Sequence, residues 1–129
     1  MIKDNLAPEV AEFIQMYIHS LEELEILVIF QDDPSLERTI DDLNKNIRSS
    51  VASITSRVKS LERNGLLSEI SPARYKFLPA SKDLEYAAQS LVAAYKERRV
   101  SVIEAIFSKP LAGIREFAEA FKFKGGKNE

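Results

Sequence analysis

A narrow apolar stripe that stops at a glycine constrains this chain more than any other feature. Val51, Ile54, Val58 and Leu61 recur at i, i+3, i+7 and i+10, the spacing of one buried helix edge. Gly65 follows where a helix ends with a positive φ, a conformation glycine adopts without a Cβ penalty. Directly beyond it, Leu66–Ile70 and Arg74–Leu78 read as two short strands around Ser71-Pro72-Ala73. The chain must therefore turn from a helix into a hairpin at once.

The residues before this stripe read as three more helices. Pro8 opens the first, because its missing N–H costs nothing there. Val10, Phe13, Ile14, Tyr17 and Ile18 give it one apolar face. Ser20 and Glu23 form a capping-box pair for the second, whose buried side is Leu21, Leu24, Leu27, Val28 and Phe30. Asp32-Asp33-Pro34-Ser35 ends it, since proline biases the preceding residue away from helix. Thr39 with Asp42 caps a short third helix with Ile40, Leu43 and Ile47 on its core side. Arg48-Ser49-Ser50 makes the turn into the glycine-terminated helix.

After the hairpin, Ser81 caps a long helix from about Asp83 to Phe107. Leu84, Ala88, Leu91, Tyr95 and Val102 follow a 3-4 spacing that Arg98 interrupts. Pro110 stands near the start of a last helix with the stripe Leu111, Ile114, Phe117, Ala118 and Phe121. The expected fold is mostly α with a small β-wing. It is one domain over 1–129, with a core at 20–79 and C-terminal helices over 83–121.

Charge divides the chain. Residues 1–42 carry eleven acids against Lys3 and Arg38, and residues 43–129 carry nine acids against sixteen bases. Such asymmetry suggests a polyanion partner for the basic part, or two solvated faces that attract each other. Residues 45–76 hold Lys45, Arg48, Arg57, Lys59, Arg63, Arg74 and Lys76 against only Glu62 and Glu69. A basic stripe on one set of elements is the footprint of a nucleic-acid binder.

Other classes fit poorly. The chain has no cysteine, so neither a disulfide framework nor a thiolate metal site is open to it. One histidine, His19 before the Ser20 cap, reads as a surface residue at a helix end. The four glycines form no phosphate-cradling loop, and one histidine with no cysteine excludes most nucleophilic triads, so no enzyme and no cofactor is expected. The longest apolar run, Ile26–Phe30, is too short to span a bilayer, and no secretory signal is evident. A soluble, cytoplasmic protein is expected, with no membrane partner.

The stretch Ile54-Thr55-Ser56-Arg57-Val58-Lys59-Ser60-Leu61-Glu62-Arg63-Asn64-Gly65-Leu66-Leu67 resembles the recognition-helix signature of winged-helix bacterial regulators. Multiple-antibiotic-resistance-type repressors and leucine-responsive-type regulators carry similar stretches. The likeness covers about residues 20–79. It implies a winged helix-turn-helix, a DNA-binding transcriptional regulator, and a homodimer through the C-terminal helices. It implies further that the helix from Ser50 to Asn64 enters the major groove of double-stranded DNA, and that a wing over 66–78 reaches backbone phosphate or the minor groove. The site then comprises Lys45, Arg48, Ser49, Ser53, Ser56, Arg57, Lys59, Arg63, Arg74 and Lys76. One feature departs from the pattern. The groove-facing half is serine-rich and lacks the Arg, Asn or Gln that make bidentate base contacts. That departure and the acidic first third favour an alternative: a protein-interaction adaptor on a winged-helix scaffold that no longer binds DNA specifically.

Overall fold

The computed structural model describes residues 6–108. They form six helices and one hairpin in the order α1 (Pro8–Tyr17), α2 (Leu21–Asp32), α3 (Ile40–Ile47), α4 (Val51–Arg63), β1 (Leu67–Ser71), β2 (Arg74–Phe77), α5 (Lys82–Glu97) and α6 (Arg99–Phe107). The helix expected from Pro110 and the basic residues Lys122, Lys124 and Lys127 lie outside the described residues.

The helix starts follow local chemistry. The Thr39 hydroxyl accepts from the Asp42 N–H at 3.1 Å, and the Asp42 carboxylate accepts from the Thr39 N–H at 3.0 Å. That reciprocal pair satisfies two otherwise orphaned donors of α3. At α2 only half the expected box forms. The Ser20 hydroxyl accepts from the Glu23 N–H, but Glu23 Oε1 turns one residue further and accepts from the His19 N–H at 2.7 Å. The reason is burial: Glu23 is fully enclosed, and its carboxylate takes a donor that lies inside the fold. His19 itself is exposed between α1 and α2. Ser50 and Ser81 cap α4 and α5 through the N–H groups of Ser53 and Leu84.

Helix α4 ends as its glycine requires. Gly65 has φ +82°, the Leu66 N–H donates to Leu61 O at 3.0 Å, and the Gly65 N–H donates to Glu62 O at 3.0 Å. These two bonds make a Schellman motif, which sends the chain straight into β1. The strands pair antiparallel with Leu67 opposite Phe77 and Glu69 opposite Tyr75, and the register slips between Glu69 and Ser71. Ala73 takes the left-handed conformation at the tip, where its N–H donates to Glu69 Oε2 at 2.8 Å. On its other edge β2 exchanges two backbone hydrogen bonds with Arg38 through Tyr75. Strand β1 begins and ends one residue later than the hydrophobic run suggested, and β2 stops at Phe77, leaving Leu78 exposed. Tyr75 and Phe77 are both in the core.

One helix holds the core together. Helix α2 packs against α3, α4, α5 and β2. Leu24, Ile26, Leu27 and Phe30 are fully buried, and Leu21, Val28 and Ile29 pack partly against them. A helix apolar on nearly every side belongs inside a fold. The single-stripe reading missed Ile26 for that reason. Against α2 and α1 lie α5 and α6. The buried apolar residues of α5 and α6 therefore pack back on the chain's own first helices.

The long helix expected over 83–107 is two helices. The chain breaks at Arg98, with φ −129° and ψ 61°. Arg98 and Arg99 fall three and four residues after the buried Tyr95, where a continuous stripe would have to bury two guanidinium groups. The break leaves both exposed and brings Val102 and Ile106 back into the core. The Arg99 guanidinium lies 4.8 Å from the Tyr95 ring centroid and covers that ring.

Candidate nucleic-acid interface

Helix α4 packs on α2 and α3 and runs into the hairpin, so one surface carries the end of α3, the outer side of α4 and the strands. Ile54, Val58 and Leu61 are fully buried and fix which side of α4 faces out. The expected fourth member of that stripe does not join them. Val51 is 55% exposed, because the first residue of α4 lies one turn beyond the last core contact. Ala52 and Ser56 are exposed with it, and Arg63 is exposed at the far end.

The α3–α4 turn is held tightly. Arg48 is left-handed, its N–H donates to Asn44 O at 2.7 Å, and the Ser49 N–H donates to Asn44 Oδ1 at 2.8 Å. Lys45 and Arg48 are thereby presented outward beside a shallow recess that they line with Asp41 and Asn44. Neither cation makes an ion pair among the described residues, and neither do Arg63, Arg74 or Lys76. Arg74 sits at the exposed start of β2 and Lys76 is half-buried two residues on. The Asp42 carboxyl is held below its ordinary range chiefly by the Thr39 N–H; burial opposes this, and the Lys45 and Arg74 charges add to it.

The other expected cations are already engaged. Lys59 Nζ lies 3.4 Å from Glu62 and 3.9 Å from Glu69, and 5.4 Å from the Tyr75 ring centroid. It ties α4 to the hairpin. Arg57 Nε lies 3.2 Å from Glu22 Oε1 in the first turn of α2, and the same oxygen accepts a 2.5 Å hydrogen bond from Ser53 Oγ. The Glu22 side chain is only 18% exposed. Burial works to raise its pKa, yet hydrogen bonds from Ser49, Ser53 and Arg57, with the Arg57 charge, outweigh it and hold the carboxyl below its ordinary range.

One carboxylate thus engages Ser53 and Arg57, two of the ten residues that the sequence points to. Glu22 is not among the ten and reads in the sequence only as one of the eleven acids of residues 1–42. Nothing local signals its partner, which lies 35 residues further along the chain. The early acids do not gather on one face. Glu22, Asp41 and Asp42 adjoin the α3–α4 surface, whereas Asp32 pairs with Lys96 of α5 at 2.6 Å and Glu23 is buried.

Among the described residues no cluster of His, Asp or Glu could hold a metal ion, and no helix is long and apolar enough to cross a membrane. No protein-family model matches the chain, and neither a curated protein nor a solved structure matches it.

Proposed function

We propose that this chain is a winged-helix transcriptional regulator that binds double-stranded DNA, with α4 as recognition helix and β1–β2 as the wing. The observation that carries the reading is the set of cations around α4 that make no ion pair among the described residues: Lys45, Arg48, Arg63, Arg74 and Lys76. They flank α4 at its start, at its end and along the hairpin. Cations so placed neutralise phosphates on both sides of a groove, and each phosphate contact releases counterions. The resemblance of Ile54–Leu67 to the recognition helices of multiple-antibiotic-resistance-type regulators supports the same assignment. A homodimer belongs to this reading. The surface available for it on α6 is the apolar pair Val100 and Phe107, 68% and 64% exposed.

A second reading keeps the scaffold and gives it a protein partner in place of DNA. The Glu22 contact favours it, since it takes Ser53 and Arg57 away from a ligand. A salt titration of binding to random duplex DNA, followed by anisotropy, separates the two. Micromolar binding that weakens steeply with salt is the expected result. Absence of binding at low salt overturns the DNA reading in favour of the adaptor.

A further inference from the structure

The half of α4 that a major groove would receive carries few polar side chains free to read a base. Ser53 and Arg57 are held by Glu22. What stands open at the start of the helix is apolar: Val51, more than half exposed, and Ala52 beside it. The fold does not need Val51, because the core contacts of α4 begin at Ile54. A β-branched residue at the first helical position adds nothing to helix stability either.

We infer that α4 reads the 5-methyl group of thymine through Val51 and Ala52, so that the protein prefers duplexes rich in A·T steps. This rests on the DNA-binding reading and names what that surface recognises. Of the four bases, thymine alone presents a methyl group on the major-groove edge, and apolar side chains are its natural contacts. Charge around the two residues fits the same occupant. Lys45 and Arg48 stand exposed just before α4 and make no ion pair among the described residues, and together they line the recess beside the start of that helix, where they can hold backbone phosphate next to a base that Val51 covers. The preference needs no bidentate hydrogen bond, and so accounts for a serine-rich helix with no Asn, Gln or free Arg in its first half.

The test compares full-length protein on poly(dA-dT), on poly(dA-dU), and on a G·C duplex with and without 5-methylcytosine, by anisotropy at one salt concentration. Replacing thymine by uracil removes the methyl and leaves the pairing and the phosphates in place. One buried methyl corresponds to a three- to fivefold change in affinity, from about 0.8 kcal/mol per buried carbon. The expected result is binding to poly(dA-dT) about three- to tenfold tighter than to poly(dA-dU), with a gain of similar sense when cytosine is methylated. Val51→Ser should reduce the ratio toward one, and Tyr86→Ser, at an exposed position of α5 outside the site, should leave it unchanged. Salt-sensitive binding with equal affinities for the thymine and uracil duplexes overturns the methyl reading while the DNA reading stands. A ratio that survives in V51S overturns the assignment to Val51. Failure to bind any duplex overturns the DNA-binding reading itself.

Discussion

Replacing Glu22 by alanine should make the protein less stable and, on the proposed DNA-binding function, raise its affinity for DNA at the same time. In the native fold its carboxylate accepts from Ser53 and Arg57 and is largely shielded from water. Hydrogen bonds to a charged group contribute about 1.5–3 kcal/mol each when buried. Arg57 is one-third exposed and Ser53 half-buried, so both regain water when the carboxylate goes, and the net loss falls to roughly 1–2 kcal/mol. For a chain of this size that lowers Tm by roughly 3–10 °C. On the DNA side the change removes one negative charge and frees one guanidinium. The salt dependence should steepen by about 0.9 in log–log slope, and affinity at low salt should rise roughly three- to tenfold. Thermal melts and anisotropy titrations on the same preparation read both effects. Glu22→Gln keeps an acceptor without the charge and should lose less stability. The folded carboxyl titrates below its ordinary value of 4.5, so its stabilisation is full above that value and is lost as pH falls through the folded pKa. Wild type should therefore lose more stability than E22Q between about pH 5 and pH 3. A variant that melts lower with no gain in affinity and no change in slope would show that Glu22 is only a brace.

Other substitutions test the frame around the site. Gly65→Ala should destabilise by roughly 1–2 kcal/mol, read by urea titration, because φ +82° disfavours a side chain and the new Cβ would lie 3.2 Å from that of Ala80. An unchanged midpoint would mean that the α4–β1 turn relaxes freely. Phe30→Ala removes a fully buried ring from α2 and should cost about 3–5 kcal/mol in the same assay. Arg63→Ala with Arg74→Ala should leave the melting temperature within about 2 °C, as both are exposed and make no ion pair, and should lower the salt slope by about two phosphates. An unaltered slope would move the phosphate contacts elsewhere.

What could be read from the sequence was what local chemistry decides. The three caps expected at Ser20, Thr39 and Ser81 all formed, because a side-chain oxygen and an N–H three residues on need nothing else. Gly65 was legible for the same reason. Long-range facts were not. The spacing around Arg98 showed an interruption, but only the packing of α6 on α1 decides that the helix breaks there and does not run past solvated arginines. Ile26 fell off the chosen stripe because α2 has neighbours on several sides. Val51 kept helical period yet stands in water, since periodicity cannot say where the core ends along a helix axis. Glu22 carries no local mark of its partner, so the sequence could name Ser53 and Arg57 as site residues without showing that a carboxylate already occupies them.

Helix α2 has one further consequence. It is about 18 Å long, and its two ends are pinned to opposite halves of the fold, Glu22 to Arg57 of α4 and Asp32 to Lys96 of α5. Between those pins its sides are packed. The second pair is exposed on both sides and holds its end of the helix only weakly, whereas Glu22 is half-enclosed and moves with the first turn. A shift of α5, which packs on α2, would reach the Glu22 carboxylate through that packing, with no loop in the transmission.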